Sequence, residues 1–97
     1  MYVSITTTDT SGAPEEGSRI VGEEMDGWLR ELDGYRGLVL LAQPGVTLGL
    51  AFWESKEAAE RWASVRGEFR ERMLGIAGAR IESVDGYDVA FARVDGF

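Results

Sequence analysis

Between Leu38 and Trp53 the chain carries two apolar runs, Leu38 to Ala42 and Thr47 to Trp53, divided by Gln43-Pro44-Gly45-Val46. Adjacent proline and glycine mark that divider as a turn, so the runs read as two strands of one hairpin. In the second strand Leu48, Leu50 and Phe52 share one face while Gly49, Ala51 and Trp53 share the other, and in the first strand neither face is polar. Both faces must therefore be covered. Helices of the same chain can cover one, but the other needs a layer from outside, and a second copy of the sheet is the simplest source. Left bare, the outer set forms an apolar patch of roughly several hundred square ångströms or more, larger than monomers usually tolerate. Parity alone leaves open which set meets the helices.

The segments flanking the hairpin supply those helices. From Pro14, followed by Glu15 and Glu16, or alternatively from Ser18 as N-cap, apolar residues recur at Ile20, Val21, Met25, Trp28, Leu29 and Leu32, a single helical stripe. Asp33-Gly34 is its left-handed stop. After the hairpin, Ser55 is a good N-cap, and Ala58, Trp62, Val65, Phe69, Met73 and Ile76 step by three and four along a second helix, with Gly67 as the place for a kink. Its outer face carries the four-residue pairs Lys56 with Glu60, Glu57 with Arg61 and Glu68 with Arg72, the usual chemistry of a solvated face. Met1 to Thr7 reads as a first strand, and Ala79 to Val94 as a last one. Sixteen residues are long for one strand, so a bulge at Asp85-Gly86 or a crossing onto a partner subunit is expected. The order β-α-β-β-α-β is that of a ferredoxin-like α+β fold, with both helices on one face of an antiparallel sheet. At 97 residues this is one domain, spanning residues 1–97.

Composition narrows the chemistry. Ten Lys plus Arg against seventeen Asp plus Glu leave a net charge of −7, which repels phosphate backbones and anionic headgroups, so neither nucleic acid nor a membrane surface is expected as a partner. The chain has no Cys, no His and no Asn, which removes disulfides, thiolate nucleophiles, imidazole bases and the commonest zinc ligands. Glu15-Glu16 and Glu23-Glu24 are neighbours on a helix and do not face one metal site, and Asp85-Gly86-Tyr87-Asp88 lacks the spacing of a calcium loop. Neither a dinucleotide-binding nor a P-loop glycine motif is present. Met1 to Thr7 has no basic, apolar leader pattern, and no run approaches the roughly 20 residues of a membrane span, so a cytoplasmic protein is the expectation.

Gly34-Tyr35-Arg36-Gly37, the hairpin after it, and Phe52-Trp53-Glu54-Ser55-Lys56-Glu57-Ala58 resemble the antibiotic biosynthesis monooxygenase-like branch of the dimeric α+β barrel superfamily. The resemblance covers nearly the whole chain. It implies a homodimer in which two sheets pack face to face as a barrel, the arrangement that the two-faced apolar hairpin required independently. It also implies a pocket between helices and sheet, where a flat aromatic or polyketide-like substrate reacts with molecular oxygen without metal, flavin or other cofactor. Members with assigned chemistry use an Asn or His beside a Trp, and haem-degrading members bind iron through a His. This chain has neither residue type, so the usual haem-degrading arrangement is excluded.

The pocket candidates are Trp28, Tyr35, Arg36, Trp53, Trp62 and Tyr87. Trp28 and Trp62 lie on apolar stripes, where aromatics more often fill a core than line a site. Trp53 matches the junction motif and reads first as a mark of the fold. Arg36 either pairs with a carboxylate or holds an anionic ligand group, and Tyr35 and Tyr87 either donate to backbone or into a pocket. Three functional readings stay open: a cofactor-independent monooxygenase, a dimer that binds a small apolar or aromatic ligand without turnover, and a structural dimer with no pocket.

Overall fold

The computed structural model describes residues 1–12 and 17–96. Pro14, Glu15 and Glu16, and the side chains of Ser18 and Ile76, lie outside the described residues. The elements are β1 (Tyr2–Asp9), α1 (Gly17–Leu29), β2 (Tyr35–Gln43), β3 (Val46–Trp53), α2 (Lys56–Arg61), α3 (Ala63–Ala77) and β4 (Arg80–Asp88). The strands form one antiparallel sheet in the order β2-β3-β1-β4, the ferredoxin-like arrangement. Among the described residues no helix is long and apolar enough to cross a membrane.

The register settles which face meets the helices. Ser4, Thr6 and Thr8 of β1 stand opposite Ala51, Gly49 and Thr47 of β3, and Leu38 and Leu40 of β2 stand opposite Ala51 and Gly49. Ser4, Thr6, Thr8, Thr47, Ala51 and Trp53 are buried. They form the helix-facing side. Leu48, Leu50 and Phe52 therefore point outward, beside Val39 and Leu41 of β2. Among the outward apolar residues Leu41 is 49% exposed and Tyr87 is 56% exposed.

Small residues set the distance between layers. A Cβ on Gly22 of α1 would lie 2.7 Å from Leu40 Cδ1, so glycine is what lets α1 descend onto β2. Gly34 is under a double constraint: its φ is 91°, and a Cβ there would lie 2.5 Å from the Ala58 Cβ. It turns the chain out of α1 while α2 passes directly over it. The core cluster of Leu29, Ala51, Trp53, Ala58 and Ala59 sits at this end of the molecule, with Met25, Trp28, Leu32, Leu38 and Trp62 packed around it. Ser55 caps α2 as its sequence context requires, accepting from the Ala58 N–H at 3.1 Å.

Several details depart from the sequence reading. The helix expected from Ser55 to Ile76 is broken at Trp62, not bent at Gly67: Trp62 has φ −105° and ψ 7°, and its indole N–H donates to the Asp33 carbonyl at 3.0 Å. That bond holds the indole toward the loop after α1. As a consequence Val65, expected on the buried stripe, is 45% exposed, and Arg66 is buried in its place. On α1, Ile20 is 59% exposed instead of buried, and the helix ends at Leu29, ahead of the glycine stop at Gly34. β4 ends at Asp88, not Val94, because among the described strands β1 is its sole neighbour and Asp88 already pairs with Tyr2. One further bond, Val89 N–H to Met1 O at 2.9 Å, exhausts the partner strand. The irregularity expected at Asp85-Gly86 lies at Glu82, where Thr7 pairs with Ser83 and Thr8 with Ile81. Gly86 is in regular register opposite Ser4, and it lacks a side chain because the Tyr2 phenol occupies that space.

Candidate functional site

Between α1, α3 and the inner sheet face the side chains leave a partly open cavity of about 70 Å³. Its α1 wall is Val21, Met25, Trp28 and Leu29, and its sheet floor combines Leu38, Leu40, Gly49 and Ala51 with the hydroxyls of Thr6, Thr8 and Thr47. Gly49 and Ala51 keep the floor low, which is why this space is not filled. The α3 wall is Arg66, Arg70 and Leu74, three residues at a spacing of four and hence on one helix face. Where α3 meets α1, Trp28 stacks on Phe69 with ring centroids 4.4 Å apart and planes 9° from parallel. This contact stiffens one wall.

The two arginines supply the polarity. Arg66 is 9% exposed; its guanidinium lies 4.7 Å from the Trp53 ring centroid and donates from Nη2 to the Ala59 carbonyl at 2.9 Å. Arg70 donates from Nη1 to the Thr6 hydroxyl at 2.9 Å. The Nε–H of each is buried without a partner among the described residues. Burial, and then the neighbouring Arg70 cation, pull the Arg66 pKa down to about 10, and burial lowers that of Arg70 as well. At about 10, Arg66 stays protonated at neutral pH. Among the described residues lining the cavity there is no carboxylate or imidazole.

Of the six residues singled out in the sequence, Trp28 alone is on the cavity wall. Trp53 is fully buried behind it, under Arg66 and edge-on to Tyr35, with ring centroids 5.7 Å apart. The Tyr35 hydroxyl donates to Asp26 Oδ1 at 2.6 Å, and burial together with that carboxylate pushes the phenol pKa well up. Tyr35 is thus committed within the fold. Arg36 is exposed and 3.9 Å from Glu54, Trp62 is tied to Asp33, and Tyr87 faces outward on β4. Arg66, Arg70 and the threonine floor were missed. A signal for the arginines existed: neither has an acid three or four residues away, whereas Arg61 and Arg72 each follow a glutamate by four.

No protein-family model matches the chain, and no curated protein matches it by sequence. Solved structures do match. SnoaB, a cofactor-independent oxygenase from Streptomyces nogalater, superposes with a TM-score of 0.73 at 16% identity over 94% of each chain. A Streptomyces coelicolor monooxygenase bound to nanaomycin D matches with a TM-score of 0.70 at 18% identity, over 98% of this chain and 92% of that one. A Deinococcus radiodurans protein assigned as an antibiotic biosynthesis monooxygenase matches with a TM-score of 0.69 at 20% identity, over 99% and 100%. At these identities what is shared is the fold. Over nearly its whole length the chain has the ferredoxin-like α+β fold seen in the antibiotic biosynthesis monooxygenases.

Proposed function

We propose that the protein is a cofactor-independent monooxygenase whose small aromatic substrate sits in the cavity between α1, α3 and the sheet. The observation that carries this reading is the pairing of an aromatic, apolar cavity with one buried and one half-buried cation and a floor of hydroxyls. Such a site favours the ionised form of a weakly acidic substrate, because fixed positive charge in a low-dielectric setting stabilises a phenolate or enolate. An electron-rich anion of that kind can pass one electron to dioxygen, and the radical pair combines to a hydroperoxide. Loss of water then turns a ring CH₂ into a carbonyl, with one oxygen atom in the product and the other in water. The protein's part is to bind, ionise and shield the substrate.

To test this, protein treated with a chelator is mixed with a panel of anthrones and hydroquinones in air, and product formation is followed. At least one member should react roughly tenfold or more above the buffer blank, about 1.4 kcal/mol of barrier. Uniform blank rates with correctly folded protein would sink the reading. A second reading, ligand binding without turnover, is favoured by the absence of any carboxylate or imidazole among the described residues of the cavity lining. Under that reading the panel members bind but do not react.

The working unit we propose is a homodimer. The outward set Val39, Leu41, Leu48, Leu50 and Phe52 is an apolar sheet face that the chain's own helices do not cover. Beyond β4, Phe91 is 78% exposed and Val94 is 63% exposed, further apolar surface for a partner to cover.

A further inference from the structure

Two guanidinium groups stand one helical turn apart on the wall of an apolar cavity, in a chain of net charge −7. Arg19, Arg30, Arg36 and Arg80 each have a carboxylate within 4.0 Å, and Arg61, Arg72 and Arg93, with none among the described residues, are exposed to solvent. Arg66 and Arg70 have no such partner among the described residues; the carboxylate whose field reaches Arg70 is Glu71, next in the chain and exposed. Buried like charges repel, and an unpaired buried cation is costly to the fold. Part of the role of Arg66 is structural, since its bond to Ala59 ties α3 back to α2 across the break at Trp62. That bond uses one of five N–H donors and leaves the buried Nε–H unsatisfied. The matching orphan on Arg70, four residues on, is not explained by the helix break.

We infer that the cavity is built for a flat aromatic ligand carrying a carboxylate, held by Arg66 and Arg70 with its ring against Trp28. This rests on the cavity being the ligand site, and it holds with or without turnover. A planar, multi-donor guanidinium suits such a group better than an ammonium does, because it offers directed N–H pairs. The Thr6 and Thr8 hydroxyls of the floor are additional donors to the same oxygens. A neutral ligand of the same shape would leave both cations uncompensated.

The test compares two probes of one shape, 2-naphthoate and 2-naphthamide, by calorimetry on the whole protein. The acid should bind roughly ten- to a hundredfold more tightly than the amide, the range of charge-assisted hydrogen bonds. In Arg70→Met, which keeps the aliphatic stem and removes the cation, that ratio should fall at least about tenfold while the amide affinity changes little. Arg66→Met should do the same, and Arg70→Met decides alone where Arg66→Met does not fold. Equal affinities in the parent protein, a ratio unchanged in Arg70→Met, or no binding of either probe would each overturn the inference. Oxygen uptake is not read. A preference for the acid with an inert oxidation panel removes turnover alone, and turnover without that preference removes this inference alone.

Discussion

Trp53→Ala should lower the unfolding free energy by about 3–5 kcal/mol, the range for emptying a large aromatic site in a core. Trp53 is fully buried at the junction of β3 and the start of α2, within the cluster of Leu29, Ala51, Ala58 and Ala59. Its ring is edge-on to Tyr35 and lies under the Arg66 guanidinium. Two losses therefore add: a cavity that backbone cannot collapse into, and a cation stripped of its aromatic face. A domain of this size has only about 5–15 kcal/mol in total, so the variant approaches the limit of folding. Trp53→Phe keeps a ring under Arg66 and deletes the unpartnered indole N–H, and its loss should be less than about half as large. Urea unfolding with an unchanged slope is the measurement. A loss below about 1 kcal/mol for the alanine variant would mean that the site collapses and that Trp53 is not central to the core.

Leu41→Asp separates fold from association. Leu41 is half-exposed on the outer face, whereas its neighbour Leu40 packs inward against the cavity and Gly22. An aspartate at 41 costs the isolated chain little. In a two-fold dimer built on this face it places an uncompensated carboxylate in the interface twice, at about 3–5 kcal/mol per buried unpaired charge. The dimer dissociation constant should rise more than about a thousandfold, giving monomers at micromolar concentration in sedimentation equilibrium with near-parental circular dichroism. If the parent protein itself sediments as a monomer, the barrel arrangement is wrong.

Element order and the two-layer architecture were legible because period-2 alternation, Pro44-Gly45 and the capping Ser55 are local signals that tertiary structure did not override. The parity question in β3 was not legible. Both sets are apolar, and it took the register with Ser4, Thr6 and Thr8 to show that the small set meets the helices. The break at Trp62 was hidden for a different reason: it is held by an indole N–H reaching Asp33, 29 positions back, a contact no local pattern encodes. The apolar stripe drawn through Val65 then concealed Arg66 and Arg70, although their lack of helical acid partners was visible. Alternation in the sequence also continued past Asp88, but a strand ends where its neighbour ends, and β1 begins at Tyr2. The six aromatic and arginine candidates were chosen for their chemistry, and most of them are occupied in holding the fold.

The central claim, that the space between α1, α3 and the sheet is the ligand site, can be read from the three tryptophan indole signals in a ¹⁵N-resolved spectrum. Trp28 is on the cavity wall, Trp53 lies behind Arg66, and Trp62 donates to Asp33 away from the cavity. On titration with 2-naphthoate the Trp28 signal should move most, Trp53 should follow as Arg66 is engaged, and Trp62 should stay nearly fixed. Movement of Trp62 with Trp28 unchanged would place the ligand elsewhere and contradict the account.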